Sequence, residues 1–272
     1  MTTFDMIPSS PVGTRILDRL VGDGFAGERP LTDISEAALY RVVFDAALEV
    51  SSQKWTCWPG RDDPWEARAA AVDVDRLAHA IPTCAAARWW SRGTAERPQV
   101  WLGRVAAAPT AGVRARHIEG KPRTEIWTSS AVEGMPSAWW PYVEGGGDEG
   151  PDAKQSIWRI TPHPEARVFE IRTPADWAWL CEAFPGTVVD GRIGPGWDAA
   201  SEVFDGIHLT VEGLIRVQGL EIETTRGPAM LDNWDAESTA WLRWSVVDLE
   251  RLGTVTAAVR RGRASPRARR GS

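Results

Sequence analysis

The segment EIWTSSAVEGMPSAWW, residues 125–140, joins a strand-forming run to hydroxyl and aromatic residues. The run at 126–128 favours a β-strand, while Ser129 and Ser130 favour a turn that presents their hydroxyls at the strand end. Such an end can hold a ribose or orient a carboxylate. Small and aromatic residues that could close over a flat ring follow: Ala131, Ala138, Trp139, Trp140 and Tyr142. The alternative interpretation is an ordinary turn followed by core tryptophans.

The composition is that of a globular protein. The 272 residues are 43% hydrophobic and 25% charged, which suits one large domain or two smaller ones. The 16 tryptophans are spread from Trp55 to Trp244, which predicts core and cleft walls and not one local motif. Cys57, Cys84 and Cys181 lack CxxC spacing, so they predict small buried side chains and neither a disulfide framework nor a zinc site.

No segment of the sequence predicts a membrane span or a secretory signal. No apolar run approaches the length of a bilayer, and the first 13 residues, MTTFDMIPSSPVG, lack a basic region followed by an apolar core. We therefore expect a cytoplasmic protein without membrane contact.

The net charge of −6 hides a basic tail. Residues 260–272, RRGRASPRARRGS, contain six arginines and no acid, so the rest of the chain carries about −12. The Gly, Ser and Pro content predicts disorder over 254–272. A tail of this charge could contact a polyanion by counterion release, or it could be a solvated chain end.

The first 95 residues predict a mostly helical region. The strongest pattern lies at 34–51, where apolar residues recur with helical spacing after Asp33 and Glu36, which have the spacing of an N-cap and its acid. Weaker helical patterns lie at 14–21, 65–80 and 84–90.

Residues 96–253 predict an α+β region that would carry the chemistry. Strand patterns lie at 100–107, 125–128, 156–161, 167–172, 206–210, 214–224 and 240–244. Helices are predicted at 174–184, where Thr173 is the N-cap, and at 196–204. The predicted fold class is α+β, with a mostly helical N-terminal region followed by a mainly antiparallel β-sheet region with flanking helices.

Two connections follow from the same pattern. The runs SIWRIT and RVFEIR, at 156–161 and 167–172, look like adjacent antiparallel strands because only PHPEA joins them. The Gly-rich, acidic segment 143–153 predicts a surface loop and no phosphate cradle, since no Gly-Lys-Ser/Thr follows it.

Residue spacing gives little support to metal or hydrolase chemistry. The four histidines stand far apart without HxH or HExxH spacing, so no metal site is predicted. Neither a GxSxG elbow nor a dinucleotide fingerprint is present. His208 in DGIHLT is the most interesting histidine, because it would lie on a strand near Asp205. A hydrolase using this pair requires Asp205 to lie outside the strand, since strand residues three apart point oppositely.

Three short features together resemble the ADP-ribosyltransferase superfamily. They are a strand arginine, a Ser-Thr-Ser-like triplet and an ExE pair: Arg104 in VWLGRV, Thr128-Ser129-Ser130 in IWTSSAVEGMPSAWW, and Glu221 and Glu223 in GLEIET. The resemblance covers residues 98–245, and it departs from the family pattern in the triplet order and in the long spacing to Glu223. The segments DWAWL, DGIHLTVEG and NWDAESTAWLRW also resemble actinobacterial proteins of unknown function.

This resemblance implies an NAD-consuming enzyme, an ADP-ribosyltransferase or NAD glycohydrolase, that breaks the nicotinamide–ribose bond. Glu223, with Glu221 beside it, would stabilise the positive charge that develops on the ribose. Ser129 would position that carboxylate, and Arg104 would hold the pyrophosphate. The other implied cofactor-binding residues are Thr128, Ser130, Trp139 and Trp140, of which the tryptophans could stack on nicotinamide.

Several alternatives stay open. Arg41 in ALYRVV is a rival for the arginine, and Asp205 and Glu212 are rivals for the acid. The acceptor could be a protein, a nucleic acid or a small molecule. The second interpretation of the whole chain is a non-catalytic, tryptophan-rich interaction module that binds a protein or nucleic-acid partner.

Overall fold

The computed structural model describes the chain in seven ranges, residues 10–25, 30–52, 74–103, 116–118, 121–124, 126–145 and 154–256. Helices dominate the N-terminal part, and mixed, mainly antiparallel sheets with flanking helices follow. The predicted α+β class is therefore confirmed.

The described ranges contain seven α-helices. They are α1 (Pro11–Gly22), α2 (Glu36–Ser52), α3 (Val74–Ala80), α4 (Trp140–Glu144), α5 (Pro174–Ala183), α6 (Trp197–Val203) and α7 (Val211–Val217). Thirteen strands lie in the same ranges: β1 (Gln99–Gly103), β2 (Arg116–Ile118), β3 (Lys121–Arg123), β4 (Trp127–Ser130), β5 (Lys154–Pro162), β6 (Val168–Ile171), β7 (Pro185–Val189), β8 (Arg192–Pro195), β9 (Gly206–Leu209), β10 (Glu221–Thr224), β11 (Gly227–Met230), β12 (Ser238–Trp241) and β13 (Val247–Thr256).

The strands form one large sheet and two small ones. The large sheet has the order β13-β5-β1-β4-β12-β9-β6, and all its neighbours are antiparallel except β9 and β6. A four-stranded sheet has the order β10-β11-β8-β7, and β2 pairs with β3. The large sheet carries the triplet, and the four-stranded sheet carries the ExE pair.

Helix ends form where the sequence supplies caps. Helix α1 begins after Ser10, whose Oγ accepts a hydrogen bond from the amide of Gly13 at 3.0 Å. Helix α5 begins after Thr173, as predicted, and Asp176 completes a capping box. The predicted helix at 34–51 corresponds to α2, which is two residues displaced at its start.

Two strand predictions are wrong. Residues 214–224 begin inside α7, because Thr210 caps the helix by accepting from the amide of Gly213 at 3.0 Å. The apolar run there suits a buried helix as well as a strand. The strands β5 and β6 are also not adjacent, since β5 lies second in the large sheet and β6 lies last.

The short connection between β5 and β6 requires the large sheet to be coiled. Pro162 and Val168 are six residues apart, which reaches about 22 Å at most. Five strand spacings across a flat sheet would measure about 24 Å, before any offset along the strands is added. The sheet therefore curls toward one face, where Val168 of β6 packs in one cluster with Trp158 and Ile160 of β5.

One hydrophobic core spans the N-terminal helices and one face of the large sheet. Helices α1 and α2 pack against α7, and the Gln218 amide donates to the carbonyl of Ala47 at 2.9 Å. Trp177, Trp197 and Trp234 are fully buried in this core. A smaller cluster around Trp158, Trp241 and Trp244 forms a second core.

The remaining expectations on the fold have mixed outcomes. Cys84 and Cys181 are buried free thiols, as predicted, while Cys57 lies outside the described residues. So do residues 53–73, 104–115, 146–153 and 257–272, which hold parts of predicted elements and most of the basic tail. Strand β13 continues to Thr256, three residues into the segment assigned to that tail. None of the described helices combines the length and the hydropathy that crossing a membrane requires.

Candidate functional site

The hydroxyl triplet is part of a strand and does not form a turn. Strand β4 runs through Ser130, so the prediction of a turn at Ser129 and Ser130 is wrong. Because side chains alternate along a strand, Thr128 and Ser130 face one side of the sheet and Ser129 faces the other. All three residues are 1% exposed.

Thr128 and Ser130 belong to a row of polar side chains that crosses five strands on one sheet face. Strand register places Thr239 opposite both His208 and Thr128, and Glu170 opposite His208. We call this set the polar row, and its members are Gln99, Thr128, Ser130, Glu170, His208, Glu237 and Thr239.

The Gln99 amide links the hydroxyls at one end of the polar row. Its Oε1 accepts from the hydroxyls of Thr128 and Thr239, each at 3.1 Å, and its Nε2 donates to Ser130 Oγ at 3.1 Å. Trp241 Nε1 donates to Thr128 Oγ1 at 2.9 Å. The hydroxyls of Thr128 and Ser130 therefore each have one donor and one acceptor, which fixes the direction of their hydrogen bonds.

Ser130 holds the carboxylate of Glu237. The Ser130 amide donates to Glu237 Oε2 at 2.9 Å, and the Ser130 hydroxyl donates to Oε1 at 2.8 Å. His208 Nε2 lies 2.7 Å from the same Oε1. Glu237 precedes β12, and its own amide donates to the Tyr40 hydroxyl at 3.0 Å. The polar row thus surrounds Glu237 with donors.

His208 connects Glu237 to a second carboxylate, that of Glu170. His208 Nδ1 is hydrogen-bonded to Glu170 Oε2, and Glu170 Oε1 accepts from the amide and hydroxyl of Thr94 at 3.0 and 2.8 Å. The His208 side chain is 0% exposed and that of Glu170 is 19% exposed. Glu170 is therefore the end of the polar row nearest to solvent.

The charges of this group shift the pKa values of its members. Burial alone would lower the pKa of His208, but the charge of Glu170 and the hydrogen bonds that the ring donates to both carboxylates raise it to about 9. Burial raises the pKa of Glu170, but the charge and hydrogen bonds of His208 and Thr94 outweigh this and lower it to about 2. Burial, followed by the charge of Glu237, raises the pKa of Tyr40.

Residues of the N-terminal region contact two members of the polar row, Glu237 and Glu170. Tyr40 of α2 contacts Glu237, and its ring lies 5.5 Å from that of Trp89. Gly93 lies against Glu170, where an added Cβ would come within 2.6 Å of Glu170 Oε1. Any larger residue at this position would require the Glu170 carboxylate to shift.

Ser129, the serine predicted to position the acid, has another partner. Its Oγ accepts from the amide of Trp139 at 3.0 Å, which fastens the segment after β4 to the sheet. The Trp139 ring packs on Tyr142 at 5.0 Å, and Trp140 is buried. Among the described residues, Ser129 has no hydrogen bond with a carboxylate.

Glu221 and Glu223, the predicted acids, lie on exposed positions of β10 in the four-stranded sheet. Glu221 pairs with Arg192 at 3.1 Å. The described contacts do not bring either glutamate to Ser129 or Ser130.

The other sequence candidates are also separated. Arg104 lies outside the described residues, and its rival Arg41 pairs with Glu144. Asp205 lies between Arg167 and Arg243, each at 3.5 Å, and does not contact His208. The acid Glu212 pairs with Arg216 at 2.7 Å.

Sequence reasoning missed Glu237 and Glu170. Glu237 lies 107 residues from Ser130, and Glu170 lies 38 residues from His208. A usable signal is the run Ala236-Glu237-Ser238-Thr239, where an acid directly precedes a strand of small polar residues.

Metal and comparative evidence give no further assignment. Within the described ranges, no three His, Cys, Asp or Glu side chains are arranged to hold a metal ion. Comparisons with protein families, with curated proteins and with solved structures found no match to this chain.

Proposed function

We propose that the chain is an NAD-consuming enzyme, an ADP-ribosyltransferase or NAD glycohydrolase, with Glu237 as its acid. The observation that supports this is the pairing of a strand hydroxyl with a carboxylate, since Ser130 binds Glu237 through both its amide and its hydroxyl. This is the arrangement that the resemblance implies, with Ser130 in place of Ser129 and Glu237 in place of Glu223.

The chemistry follows from the charge of Glu237. When the bond between C1′ and nicotinamide breaks, the electron pair leaves with the nicotinamide nitrogen, and the ribose becomes positive. An ionised carboxylate beside C1′ stabilises that charge, most strongly where water is excluded. Water or an acceptor nucleophile then forms the new bond to C1′ and loses a proton to solvent. In this proposal, Arg104 holds the pyrophosphate, and Trp139, which is bonded to Ser129 on the other sheet face, has no contact with nicotinamide.

The burial of Glu237 sets a condition on this mechanism. Its side chain is 1% exposed, so NAD reaches it only when residues that bury it, such as Tyr40, move away. Such opening steps limit the rate of many enzymes. A cytoplasmic location belongs to the same proposal, because Cys84 and Cys181 are free thiols.

The test is release of nicotinamide from NAD, measured by chromatography with water and with candidate acceptors. Wild type is expected to release nicotinamide, and Glu237→Gln is expected to lose at least about 100-fold in rate, as removal of one electrostatic group does in other enzymes. Glu223→Gln and Glu221→Gln are matched controls, because they make the same chemical change on the exposed strand β10.

The outcomes separate the function from the assignment of its acid. No nicotinamide from wild type with any acceptor would overturn the function. Activity that survives in Glu237→Gln but is lost in Glu223→Gln would return the acid to the position that the sequence predicted. Circular dichroism of each variant distinguishes a lost reaction from a lost fold.

A second candidate function is a non-catalytic interaction module, which a cluster of aromatic rings favours. Trp179 is 47% exposed, and its ring lies 5.1 Å from Phe169 and 5.9 Å from Phe184. Exposed aromatic groups of this kind contribute strongly to protein interfaces. In this interpretation a protein partner binds Trp179, while the basic tail contacts a polyanion.

Titration calorimetry against a purified candidate partner distinguishes the second function from the first. Trp179→Ser is expected to weaken binding at least tenfold and to leave nicotinamide release unchanged. If wild type and Trp179→Ser bind the partner equally tightly, the interpretation as an interaction module is wrong.

A further inference from the structure

We propose that His208 is a doubly protonated positioning residue that keeps Glu237 charged and oriented, with Glu170 as its second counter-ion. This inference is based on the hydrogen bonds of the two ring nitrogens, Nδ1 with Glu170 and Nε2 with Glu237. Its catalytic consequence rests on the function proposed above, whereas the protonation of His208 does not.

Each carboxylate accepts from neutral groups besides His208. Glu237 accepts from the amide and the hydroxyl of Ser130, and Glu170 accepts from the amide and the hydroxyl of Thr94. A carboxyl group that accepts this many hydrogen bonds is stabilised in its ionised form, because protonation would turn an acceptor into a donor.

His208 must then supply a proton to each side. A neutral imidazole donates from one nitrogen and presents a lone pair on the other. With Glu237 at Nε2 and Glu170 at Nδ1, that lone pair would face a carboxylate oxygen, whichever tautomer formed. In a site that is 0% exposed no water can relieve this repulsion. Protonation of both ring nitrogens, which gives the imidazolium, removes the repulsion between the lone pair and the carboxylate.

Among the described residues, the two carboxylates are the charged groups that are hydrogen-bonded to the ring. Tyr40 of α2 bonds the Glu237 amide through its hydroxyl, and Thr94 bonds Glu170. Asp205, three residues before His208 in the chain, pairs with Arg167 and Arg243 instead. The ring itself therefore contacts two anions, while the guanidinium of Arg172, which pairs with Glu96, lies near Glu170 at Gly93.

This arrangement gives the three residues different tasks. His208 draws the Glu237 carboxylate to one orientation, in which Oε1 also binds the Ser130 hydroxyl. Glu170 keeps the ring charged and, at 19% exposure, provides the contact with solvent through which protons exchange. Neither residue needs to touch substrate.

The protonation state is measured by ¹⁵N NMR of a protein in which His208 is the single histidine. The variant His79→Asn, His117→Asn, His163→Asn achieves this, since the chain has four histidines. Both ring nitrogens are expected to show the protonated signal at pH 7. An unprotonated nitrogen at pH 7 would overturn the proposal, whether or not the protein consumes NAD.

Glu170→Gln in the same background sharpens the test. It is expected to lower the pKa of His208 by about one unit or more, because one of two adjacent anions is lost. Glu250→Gln is the control, since Glu250 pairs with Arg159 on an exposed edge. Loss of its charge should leave the pKa of His208 unchanged. Equal titration of His208 in both variants would contradict the proposed role of Glu170.

The positioning role has a readout of its own in turnover. Glu170→Gln is expected to move the alkaline decline of kcat to lower pH while KM stays unchanged, because no group that binds substrate is altered. A purely structural role predicts lower stability with an unshifted pH profile, and that result would overturn the positioning role even if His208 is an imidazolium.

Discussion

The glutamates of the two larger sheets differ in their burial and in their hydrogen bonding. In the four-stranded sheet Glu221 is half exposed and pairs with the similarly exposed Arg192. In the seven-stranded sheet Glu237 is 1% exposed and accepts three hydrogen bonds, from Ser130 and His208. The ExE pair that stands out in the sequence thus lies on the solvated sheet, while Glu237, which Ser130 holds, is marked only by the small polar strand residues that follow it.

The difference matters because water screens charges. An exposed ion pair gains about 0–1 kcal/mol, whereas removing one partner of a buried pair costs about 3–5 kcal/mol. A buried carboxylate also exerts a stronger field on any charge that develops beside it. The seven-stranded sheet is therefore where both the largest stability effects and any electrostatic catalysis are expected.

The largest effect is expected from replacing His208. His208→Leu leaves Glu170 and Glu237 without their shared cation and should lower the free energy of unfolding by about 3–5 kcal/mol, measured with urea. His163→Leu is a matched control, because His163 also lies between two carboxylates, those of Glu165 and Asp248, but is partly exposed. Its cost should stay under about 1 kcal/mol. Equal costs would remove the contrast between the two regions.

The pH dependence of the free energy of unfolding should reflect the titration of His208 and Glu170. The folded pKa of His208, about 9, exceeds the ordinary value of 6.5, so its contribution is fully present below pH 6.5 and is lost as pH rises through 9. The folded pKa of Glu170, about 2, lies below 4.5, so its contribution is present above pH 4.5 and is lost as pH falls through 2.

Stability is therefore expected to be greatest between pH 4.5 and 6.5 in urea titrations at each pH. The decline on the alkaline side should be of the order of 3 kcal/mol and should be absent from His208→Leu. A wild-type curve that is flat from pH 6.5 to 9 would indicate that the ring is neutral.

A smaller effect is expected at Gly93. Gly93→Ala places a Cβ 2.6 Å from Glu170 Oε1 and 3.0 Å from its carboxyl carbon, so the carboxylate must leave Thr94 or His208. Overpacking of this kind costs about 1–3 kcal/mol in thermal or urea unfolding. Gly194→Ala is the control, because open space surrounds that position and its cost should stay within about 0.5 kcal/mol. Equal stability of the two variants would show that Glu170 is loosely held.

The smallest effect concerns the four-stranded sheet. A double-mutant cycle of Glu221→Gln and Arg192→Gln should give a coupling energy below about 1 kcal/mol, because both side chains are exposed and screened. Raising the salt concentration should reduce it further. A coupling above about 2 kcal/mol would mean that β10 is a more organised site than its exposure indicates.

Local signals in the sequence predicted much of the fold. Thr173 and Asp176 predict the start of α5 because the cap is complete within four residues. The hairpin of β7 and β8 was missed although its turn, Asp190-Gly191, carries the usual signal, with positive φ at both residues. Where the signal lies within a few neighbouring residues, the sequence alone is enough to predict the element.

The site could not be predicted in the same way. The partner of Ser130 depends on the order of the strands, which places β12 beside β4 although over 100 residues separate them. The sequence singles out His208 and suggests Asp205, the nearest acid in the chain, as its partner, whereas its partners in the fold are the distant Glu170 and Glu237. Sheet register, which the sequence alone does not fix, decides between them.

The central claim is that any chemistry of this protein belongs to Glu237 and not to the exposed acids of β10. The most direct measurement is the rate of nicotinamide release by wild type, Glu237→Gln and Glu223→Gln under identical conditions. We expect activity in wild type and Glu223→Gln, and a loss of at least about 100-fold in Glu237→Gln. Activity retained by Glu237→Gln and abolished by Glu223→Gln would contradict the claim.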